Sequence, residues 1–287
     1  MSDKAHSFLK KFNNLKTLPH VAIRLTQLIA DERTTVRELE EIIRLDPTLV
    51  LRLLRMVNSP YYGLRQKVGS IAEAVTFLGI DNLRNIVVVE AMKDIFKSGR
   101  QDHRFSFSKL WLHSAVVAIC CQMVAERVFR QKGENAFLCG ILHDIGLIAA
   151  AQVEPDLFFQ IWEHDIPDSG TMIARERETL GTDHCDLGYH LTGEWKIAAP
   201  VREGIRQHHN SERKLSASDI GGILQISEYL SSRLEYTMIP GLRPGLPQIL
   251  LQHLRENIME YRVITGDLPE EIAKAREMYQ SPEEPQP

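Results

Sequence analysis

Two adjacent residues with metal-binding chemistry, His143 and Asp144, lie in a strongly apolar stretch of this 287-residue sequence, between Gly140 and Gly146. Burying a carboxylate without a partner costs several kcal/mol, so Asp144 needs a cation or a dense set of hydrogen-bond donors. Neighbouring side chains leave a helix about 100° apart, so this pair can bind one ion from two directions, or one ion each. A hydrogen-bonded core histidine beside a helix-capping aspartate explains the dipeptide equally well, and both interpretations stay open at this point.

Further histidine and acidic residues recur on the apolar faces of other predicted helices. His113 falls three residues after Leu110 and four before Val117, so it faces the core. Glu228 lies one helical turn beyond Leu224, an unusual place for a free carboxylate. Any one of these residues could be structural, whereas seven of them on successive helices favour one shared site. The candidate metal ligands are His113, His143, Asp144, His184, His208, His209 and Glu228.

Imidazole and carboxylate donors without thiolate suit iron, manganese, zinc or nickel, and do not suit calcium or magnesium alone. We therefore expect one or two divalent transition-metal ions as the cofactor. The glycines beside the His-Asp pair fit close helix packing, which would bring ligands from other helices within reach. The apolar residues around the pair predict one continuous buried helix, since they cover most of its circumference: Ala136, Phe137, Ile141, Leu142, Ile145 and Ile148.

The composition excludes several classes of protein. The net charge is −4 and no block of lysine or arginine occurs, so we expect no nucleic-acid partner. The four cysteines form no CxxC pair and are interpreted as reduced core thiols. The first residues lack the apolar segment of a signal peptide, and no apolar run approaches the length of a membrane span. These features predict a soluble, cytoplasmic protein without a membrane partner.

Repeated helix caps and a 3.6-residue periodicity predict an all-α protein of two packed helical lobes with no sheet. The predicted units are an N-terminal lobe at 1–100, a second helical lobe at 105–235, a helical extension at 240–280 and a disordered tail at 281–287, with the lobes divided near 97–107. Predicted helix starts include Leu18-Pro19, Thr35 with Glu38, Asp46-Pro47, Ser70 with Glu73, Asp81, Ser108, Pro155, Asp183, Pro200, Ser218 and, in the extension, Leu246 and Leu268.

The sequence resembles the HD phosphohydrolase superfamily at His113, at His143-Asp144 with Ile145-Gly146, and at a later acidic residue. Within that superfamily it resembles the HDOD family over about residues 15 to 232. In the N-terminal half the resemblance is carried by Leu18-Pro19, Asp46-Pro47, Leu53-Leu54-Arg55, Asn58-Ser59, Tyr61-Tyr62-Gly63, Ser70-Ile71, Ala74-Val75 and Leu78-Gly79. Further along it is carried by Leu110-Trp111, His113-Ser114, Arg175-Glu176, Gly181, Asp183-His184 and His208-His209.

The resemblance implies a bacterial regulatory protein with a two-lobed HDOD architecture, whose second lobe is a bundle like an HD domain. The related HD-GYP branch hydrolyses cyclic di-GMP, with ligands that match all the candidates above except Glu228, which stands where that branch has its last metal-binding aspartate. Leu147 stands where that branch has a lysine that engages substrate phosphate. The chain also has Asn210-Ser211-Glu212-Arg213 in place of the Gly-Tyr-Pro that follows the histidine pair.

Two functions therefore compete. The first is a signal-transduction protein with a His/Asp metal site and without robust catalysis, in which the second lobe is a helical core that is stabilised by metal or free of it. Its partners are other signalling proteins or a second copy bound through the N-terminal lobe. The second is a metal-dependent phosphohydrolase acting on a nucleotide or a cyclic dinucleotide, with Asp144 as its one catalytic assignment and metal ions that activate water. Leu147, which we expect to pack against the first lobe and close the pocket, favours the first function. Arg206 and Lys214 keep the second function, and a nucleotide ligand, open.

Overall fold

The structure is a computed structural model that describes residues 8, 10–11, 35–45, 47–59, 62–80, 82–83, 85–87, 89, 105–210 and 216–279. These residues contain no β-strand, which confirms the all-α prediction. The helices are α1 (Val36–Ile43), α2 (Pro47–Val57), α3 (Ile71–Leu78), α4 (Phe107–Arg127), α5 (Glu134–Leu142), α6 (Ile145–Val153), α7 (Pro155–Ile161), α8 (Ser169–Leu180), α9 (His184–Glu194), α10 (Ala199–Gln207), α11 (Ile220–Arg233), α12 (Gln248–Glu256) and α13 (Ile258–Tyr279). The predicted helix start at Leu18-Pro19, the cap at Asp81, most of the divide near 97–107, Lys214 and the tail at 281–287 lie outside the described residues.

Two predicted caps of the first lobe, at Thr35 and Ser70, form in the structure, the second only in part. Thr35 Oγ1 accepts a hydrogen bond from the Glu38 backbone N–H at 3.3 Å, and the Glu38 carboxylate accepts one from the Thr35 N–H at 2.8 Å. Ser70 Oγ likewise accepts from the Glu73 N–H at 3.2 Å. The Glu73 carboxylate, however, accepts from the N–H of Gly69 rather than from that of Ser70. The second capping box is therefore shifted by one residue.

The buried apolar side chains of the described residues form two clusters. The smaller cluster joins α1, α2 and α3 with Leu83, Ile86 and Val87, and its fully buried members include Leu39, Leu53 and Leu83. The larger cluster is built around α4 and α5, and it also contains Tyr261 and Leu268 of α13. The predicted extension at 240–280 thus packs on the same core as the second lobe.

Several helix starts differ from their predicted positions, by one residue at Ala199 and by two at Gln248, and by more informative shifts in three other helices. α4 begins at Phe107 because Ser106, not Ser108, accepts a hydrogen bond from the Lys109 N–H. α11 begins after Asp219 rather than at Ser218. The last helix begins at Ile258, ten residues before the predicted Leu268, and contains Pro269 in its interior. Tyr261, Ile264, Leu268 and Ile272 are all buried on one face, so packing outweighs the usual cost of an internal proline.

The prediction of one continuous buried helix through Gly140–Gly146 is wrong at one point. α5 ends at Leu142 and α6 begins at Ile145, and between them Asp144 has φ −99° and ψ 11°, outside helical geometry. Since an unsatisfied buried carboxylate is costly, its position is set by what it faces rather than by helix propensity. The break lets Asp144 face residues on three other helices.

The glycines beside the pair allow close helix packing, as predicted. A Cβ atom added at Gly140 would lie 2.5 Å from the Cα atom of Ala118 on α4. One added at Gly146 would lie 2.0 Å from the carbonyl oxygen of His184 on α9. Both distances are far shorter than any real Cβ contact, so only glycine allows α4 and α9 to approach the His-Asp pair this closely.

Contrary to the expectation that no apolar run approaches the length of a membrane span, two segments, Phe107–Arg127 and Glu134–Val153, are long and apolar enough to cross a membrane on length and composition alone. Within the fold, 67% and 89% of the 18-residue apolar window in each segment is buried inside the protein. Core helices of globular proteins commonly pass the same test, and burial of this extent is typical of them.

Candidate metal centre

Four histidine rings from different helices converge on the Asp144 carboxylate. Oδ2 of Asp144 lies 3.0 Å from His143 Nε2 and 3.7 Å from His113 Nε2. Oδ1 lies 3.5 Å from His184 Nε2 and 3.7 Å from His208 Nε2. His113 comes from the first half of α4, His184 begins α9, and His208 follows the last turn of α10. The two oxygens of one carboxylate thus face two different pairs of histidines.

The second nitrogen of each of these rings is already bound. Each Nδ1–H donates a hydrogen bond to an oxygen acceptor, which fixes the tautomer and leaves Nε2 directed at Asp144. The acceptors are the carbonyl oxygens of Tyr236 for His113 at 2.8 Å, Gly140 for His143 at 2.7 Å and Ile205 for His208 at 2.6 Å, and the Glu176 carboxylate for His184 at 2.8 Å.

Polar atoms at the centre of the cluster are buried and lack hydrogen-bond partners. Asp144 is 2% exposed and His143 is 0% exposed, yet both carboxylate oxygens and the His143 Nε2 atom are unpaired. His184 Nε2 and His208 Nε2 lie only 3.2 Å apart, and with both Nδ1 atoms protonated neither has a hydrogen to donate in the neutral state. Such a set of inward-facing acceptors is costly unless a cation or added protons lie between them. The residues therefore fit a metal ion.

All seven residues singled out from the sequence fall into two compact groups. Within each group, one ligand atom per residue lies within 4.8 Å of the others. The groups are Asp144, His184, His208 and His209, and His113, His143 and Glu228. Because Asp144 also faces the second group through Oδ2, the arrangement suits two ions that share this carboxylate.

His209 and Glu228 lie at the edges of the cluster. The His209 ring is partly exposed and packs against the His208 ring, with centroids 4.0 Å apart. Glu228 is buried on α11, and its Oε1 atom lies 3.8 Å from His143 Nε2. The longer glutamate side chain thus reaches the cluster from the position where the resemblance placed an aspartate.

Glu176 is a site residue that the sequence did not single out as a ligand or as a partner of one. Its buried carboxylate accepts hydrogen bonds from the His184 backbone N–H at 2.7 Å and from the His184 ring. Glu176 lies four residues after Met172 and four before Leu180, both buried, so it occupies the core face of α8. The spacing of four residues from Met172 and from Leu180 would have indicated that Glu176 faces the core. The many charged residues of α8 obscured this periodicity.

Cys185 is a buried free thiol, as predicted, but it also borders the cluster. Its Sγ atom lies 3.6 Å from His184 Nε2 and 3.6 Å from His208 Nδ1. Burial raises the pKa of this thiol, and the adjacent His184 and His208 outweigh that effect and lower the pKa overall. Thiolate character at Cys185 is therefore favoured, in contrast to Cys120, whose pKa burial raises to about 12.

The mutual electrostatics of the cluster stabilise a charged carboxylate. Burial alone would raise the pKa of Asp144, but His143, His208 and His184 hold it well below its usual range. Burial likewise opposes protonation of His184, yet Cys185 and Glu176 raise its pKa well above the usual value. A centre that attracts protons this strongly also attracts other cations.

The cluster can be approached from two cavities. His113 lines one of about 520 Å³, and Cys185 and His209 line another of about 880 Å³. Asp144, His143 and His184 line neither of these cavities. Within the part of the chain that the structure describes, these central ligands are at most 2% exposed, whereas His113, Cys185 and His209 border the two cavities.

Solved structures share this fold along nearly the whole chain. The HDOD domain protein of Geobacter sulfurreducens matches with a TM-score of 0.69 and 21% identity over 96% of this chain and 99% of that one. A candidate phosphohydrolase of Shewanella amazonensis matches with a TM-score of 0.66 and 26% identity over 94% of both chains. A candidate signal-transduction protein of Marinobacter aquaeolei matches with a TM-score of 0.74 and 21% identity over 97% of this chain and 65% of that one.

Curated relatives are longer proteins. An uncharacterized protein of Treponema pallidum is 22% identical over 244 residues, which are 82% of this chain and 46% of the relative. The YuxH protein of Bacillus subtilis is 22% identical over 142 residues, which are 50% of this chain and 34% of the relative. The chain therefore spans less than half the length of these curated relatives. The sequence model of the HDOD domain matches residues 15–211, which is more than half of the chain, and the protein belongs to the HDOD family.

Proposed function

We propose that this protein is a regulatory, signal-transducing HDOD protein in which the buried His/Asp cluster holds one or two divalent transition-metal ions and does not catalyse hydrolysis robustly. The observation that carries this proposal is the enclosure of the central ligands. Asp144, His143 and His184 are at most 2% exposed, whereas hydrolysis needs a coordination position that a substrate can reach.

The surroundings of the cluster support the same proposal. Leu147, at the position where a phosphate-binding lysine would serve an enzyme, is buried among the apolar residues of the larger core. Two arginines near His209 already have carboxylate partners. Arg177 pairs with Asp183 at 2.7 Å, and Arg206 pairs with Asp186 at 3.4 Å. These contacts leave the cations on this flank less available to a phosphate substrate.

The proposed ligands are the seven residues of the two groups, with Asp144 shared between two ions. Neutral imidazole and carboxylate donors suit iron, manganese, nickel or zinc, at nitrogen-to-metal distances of about 2.0–2.2 Å. The proposed partners are other signalling proteins or a second copy of the chain, engaged through the first lobe. That lobe carries large apolar side chains that are mostly exposed, Leu45, Leu51 and Phe77.

A metal-dependent phosphohydrolase acting on a nucleotide or a cyclic dinucleotide is the second candidate function. Two observations favour it. His113 and His209 each border a cavity large enough for a small molecule, and the Shewanella amazonensis relative is described as a candidate phosphohydrolase. When bound, a metal ion would polarise a phosphate oxygen and activate water. In that case Asp144 would be the residue that turnover depends on.

The decisive experiment combines metal analysis with an activity screen. The purified chain is loaded with manganese, iron or nickel, and offered cyclic dinucleotides, nucleotides and an aryl phosphodiester. We expect bound metal by elemental analysis and no turnover of these substrates. We also expect Asp144→Ala to lose metal and melt at a lower temperature.

The matched control is Glu260→Gln, which neutralises an exposed acid on α13 and should change neither property. Turnover that disappears in a folded Asp144→Ala variant would reverse the ranking of the two functions. A chain that binds no metal under any loading condition would overturn both.

A further inference from the structure

The cavity beside His113 has a distinctive electrostatic character. Three cationic side chains from three segments line it, Lys109 of α4, Arg233 at the end of α11 and Arg243 of the following loop. Glu235 is the only acid among its described lining residues. The cavity wall thus carries three positive charges and one negative charge, a net charge of about +2 at neutral pH. This excess contrasts with the protein's overall charge of −4.

Contacts within the protein hold part of the cavity wall in place. The Arg233 guanidinium packs over the Tyr229 ring at 4.8 Å from its centroid, and its Nη2 donates a hydrogen bond to the Tyr229 hydroxyl at 3.0 Å. Glu235 adopts a left-handed conformation with φ +63°, which is unusual for a residue with a side chain. The resulting turn is closed by a hydrogen bond from the Tyr236 N–H to the Ser231 carbonyl at 3.0 Å. Two of the lining residues therefore lie in a fixed turn.

The remaining lining combines apolar or aromatic side chains, from Leu112, Tyr236, Pro240 and Leu242, with the polar side chains of His113, Ser232 and Thr237. The cavity volume, about 520 Å³, falls within the range of small-molecule sites. This volume exceeds what inorganic phosphate alone would fill. A lining that contains both cations and apolar side chains fits a small organic molecule that carries a dianionic group.

We propose that this cavity binds a small phosphate-bearing organic anion, with Lys109, Arg233 and Arg243 as the binding residues for the phosphate. A phosphomonoester carries close to two negative charges at neutral pH and matches the net charge of the wall. Arginine is suited to it because its planar guanidinium donates paired hydrogen bonds to phosphate oxygens. The apolar wall then contacts the organic part.

Bound ligand would be coupled to the proposed metal centre. Tyr236 lines the cavity, and its carbonyl accepts the hydrogen bond that orients His113. His113 itself lines the cavity, and its Nε2 atom lies 3.7 Å from Asp144 Oδ2. This coupling rests on the proposed function of the cluster, whereas binding of the anion does not, and the experiment separates the two.

The test uses phenyl phosphate as the probe and phenyl sulfate, a monoanion of similar shape, as the matched ligand. Binding is measured by calorimetry on full-length protein stripped of metal with a chelator, so that direct phosphate–metal contact is excluded. We expect one site for phenyl phosphate, at least tenfold weaker binding of phenyl sulfate, and weaker binding at high salt. Arg243→Gln and Lys109→Gln should each weaken phenyl phosphate binding about tenfold.

The matched control is Arg262→Gln, an exposed arginine of α13 that does not line the cavity. Equal binding of the two probes, or binding unchanged in both cavity variants, would overturn the proposal. Retention on phosphatidic acid vesicles without binding of phenyl phosphate would overturn the assignment to a soluble ligand. Repeating the titration on metal-loaded protein tests the coupling. An unchanged affinity there removes the coupling and leaves the anion site in place.

Discussion

The Glu176 carboxylate accepts hydrogen bonds from both the ring Nδ1–H and the backbone N–H of His184, at 2.8 and 2.7 Å. One buried acid on α8 therefore fixes the position, the tautomer and the orientation of a candidate ligand at the start of α9. Carboxylate–histidine pairs of this kind raise the basicity of a metal-binding imidazole and hold it in place. Glu176 is best described as a positioning residue, since it acts through His184.

The first prediction concerns this pair. Glu176→Gln should retain the fold but lower metal affinity about 10–100-fold, because the amide orients the ring less firmly and supplies no charge. Competition with a chromophoric chelator measures the affinity, and circular dichroism checks the fold. Glu178→Gln, which changes an exposed acid on the same helix, is the control and should bind metal like the parent chain. Equal affinities for the two variants would contradict a positioning role.

The second prediction concerns the close approach at Gly146. Gly146→Ala should destabilise the protein by about 1–3 kcal/mol, because the new Cβ would meet the His184 carbonyl oxygen and force α6 and α9 apart. Urea unfolding followed by circular dichroism gives the free energy. Gly266→Ala is the matched control, since a Cβ there meets nothing within 4 Å on a helix, and it should stabilise by about 0.5–1 kcal/mol. A tolerated Gly146→Ala would show that the two backbones can separate.

The third prediction concerns protons at the centre. The pKa values of His184 and His208 are raised well above the usual range, so the metal-free centre binds protons more tightly than a free imidazole does. Their protonation stabilises the metal-free fold fully below the unfolded pKa, and this contribution is lost as the pH rises through the folded pKa. Metal must displace these protons, so its affinity should increase with pH and binding should release protons. Calorimetry in buffers of different ionisation enthalpy counts them, and binding without proton release would contradict this picture.

The fourth prediction concerns thiol reactivity. In the native protein, iodoacetamide should modify Cys185 faster than Cys120, Cys121 or Cys139, because Cys185 lines a cavity and its pKa is lowered. Burial raises the pKa of each of the other three. Peptide mass spectrometry over a time course ranks the four sites. Bound metal should slow the reaction at Cys185, because it would coordinate the neighbouring imidazole nitrogens and make the site more rigid. Preferential labelling of Cys120 would contradict the ranking.

Much of the site could be predicted from the sequence because its ligands lie on helices with clear apolar periodicity. His113 and Glu228 each replace an apolar residue on a core face, and both lie at the cluster in the structure. The break at Asp144 could not be predicted, since the apolar residues on both sides fit one helix. It arises from side chains that are distant in sequence, His113, His184 and His208. The role of the Tyr236 carbonyl could not be predicted either, because it depends on a turn that leaves no pattern of residue types.

The hydrogen bond from His113 to the Tyr236 carbonyl determines where a recombinant fragment or a gene fusion of this domain can end. The family match ends at residue 211, whereas Glu228, Tyr236 and the helix α13 that packs on α4 all lie beyond it. A fragment that ends where the family match ends would lack the Tyr236 carbonyl, so the His113 imidazole would be free to rotate. It would also lack α13, which covers one side of α4. The smallest portable unit, in gene fusions as in recombinant fragments, therefore extends through residue 279 at least.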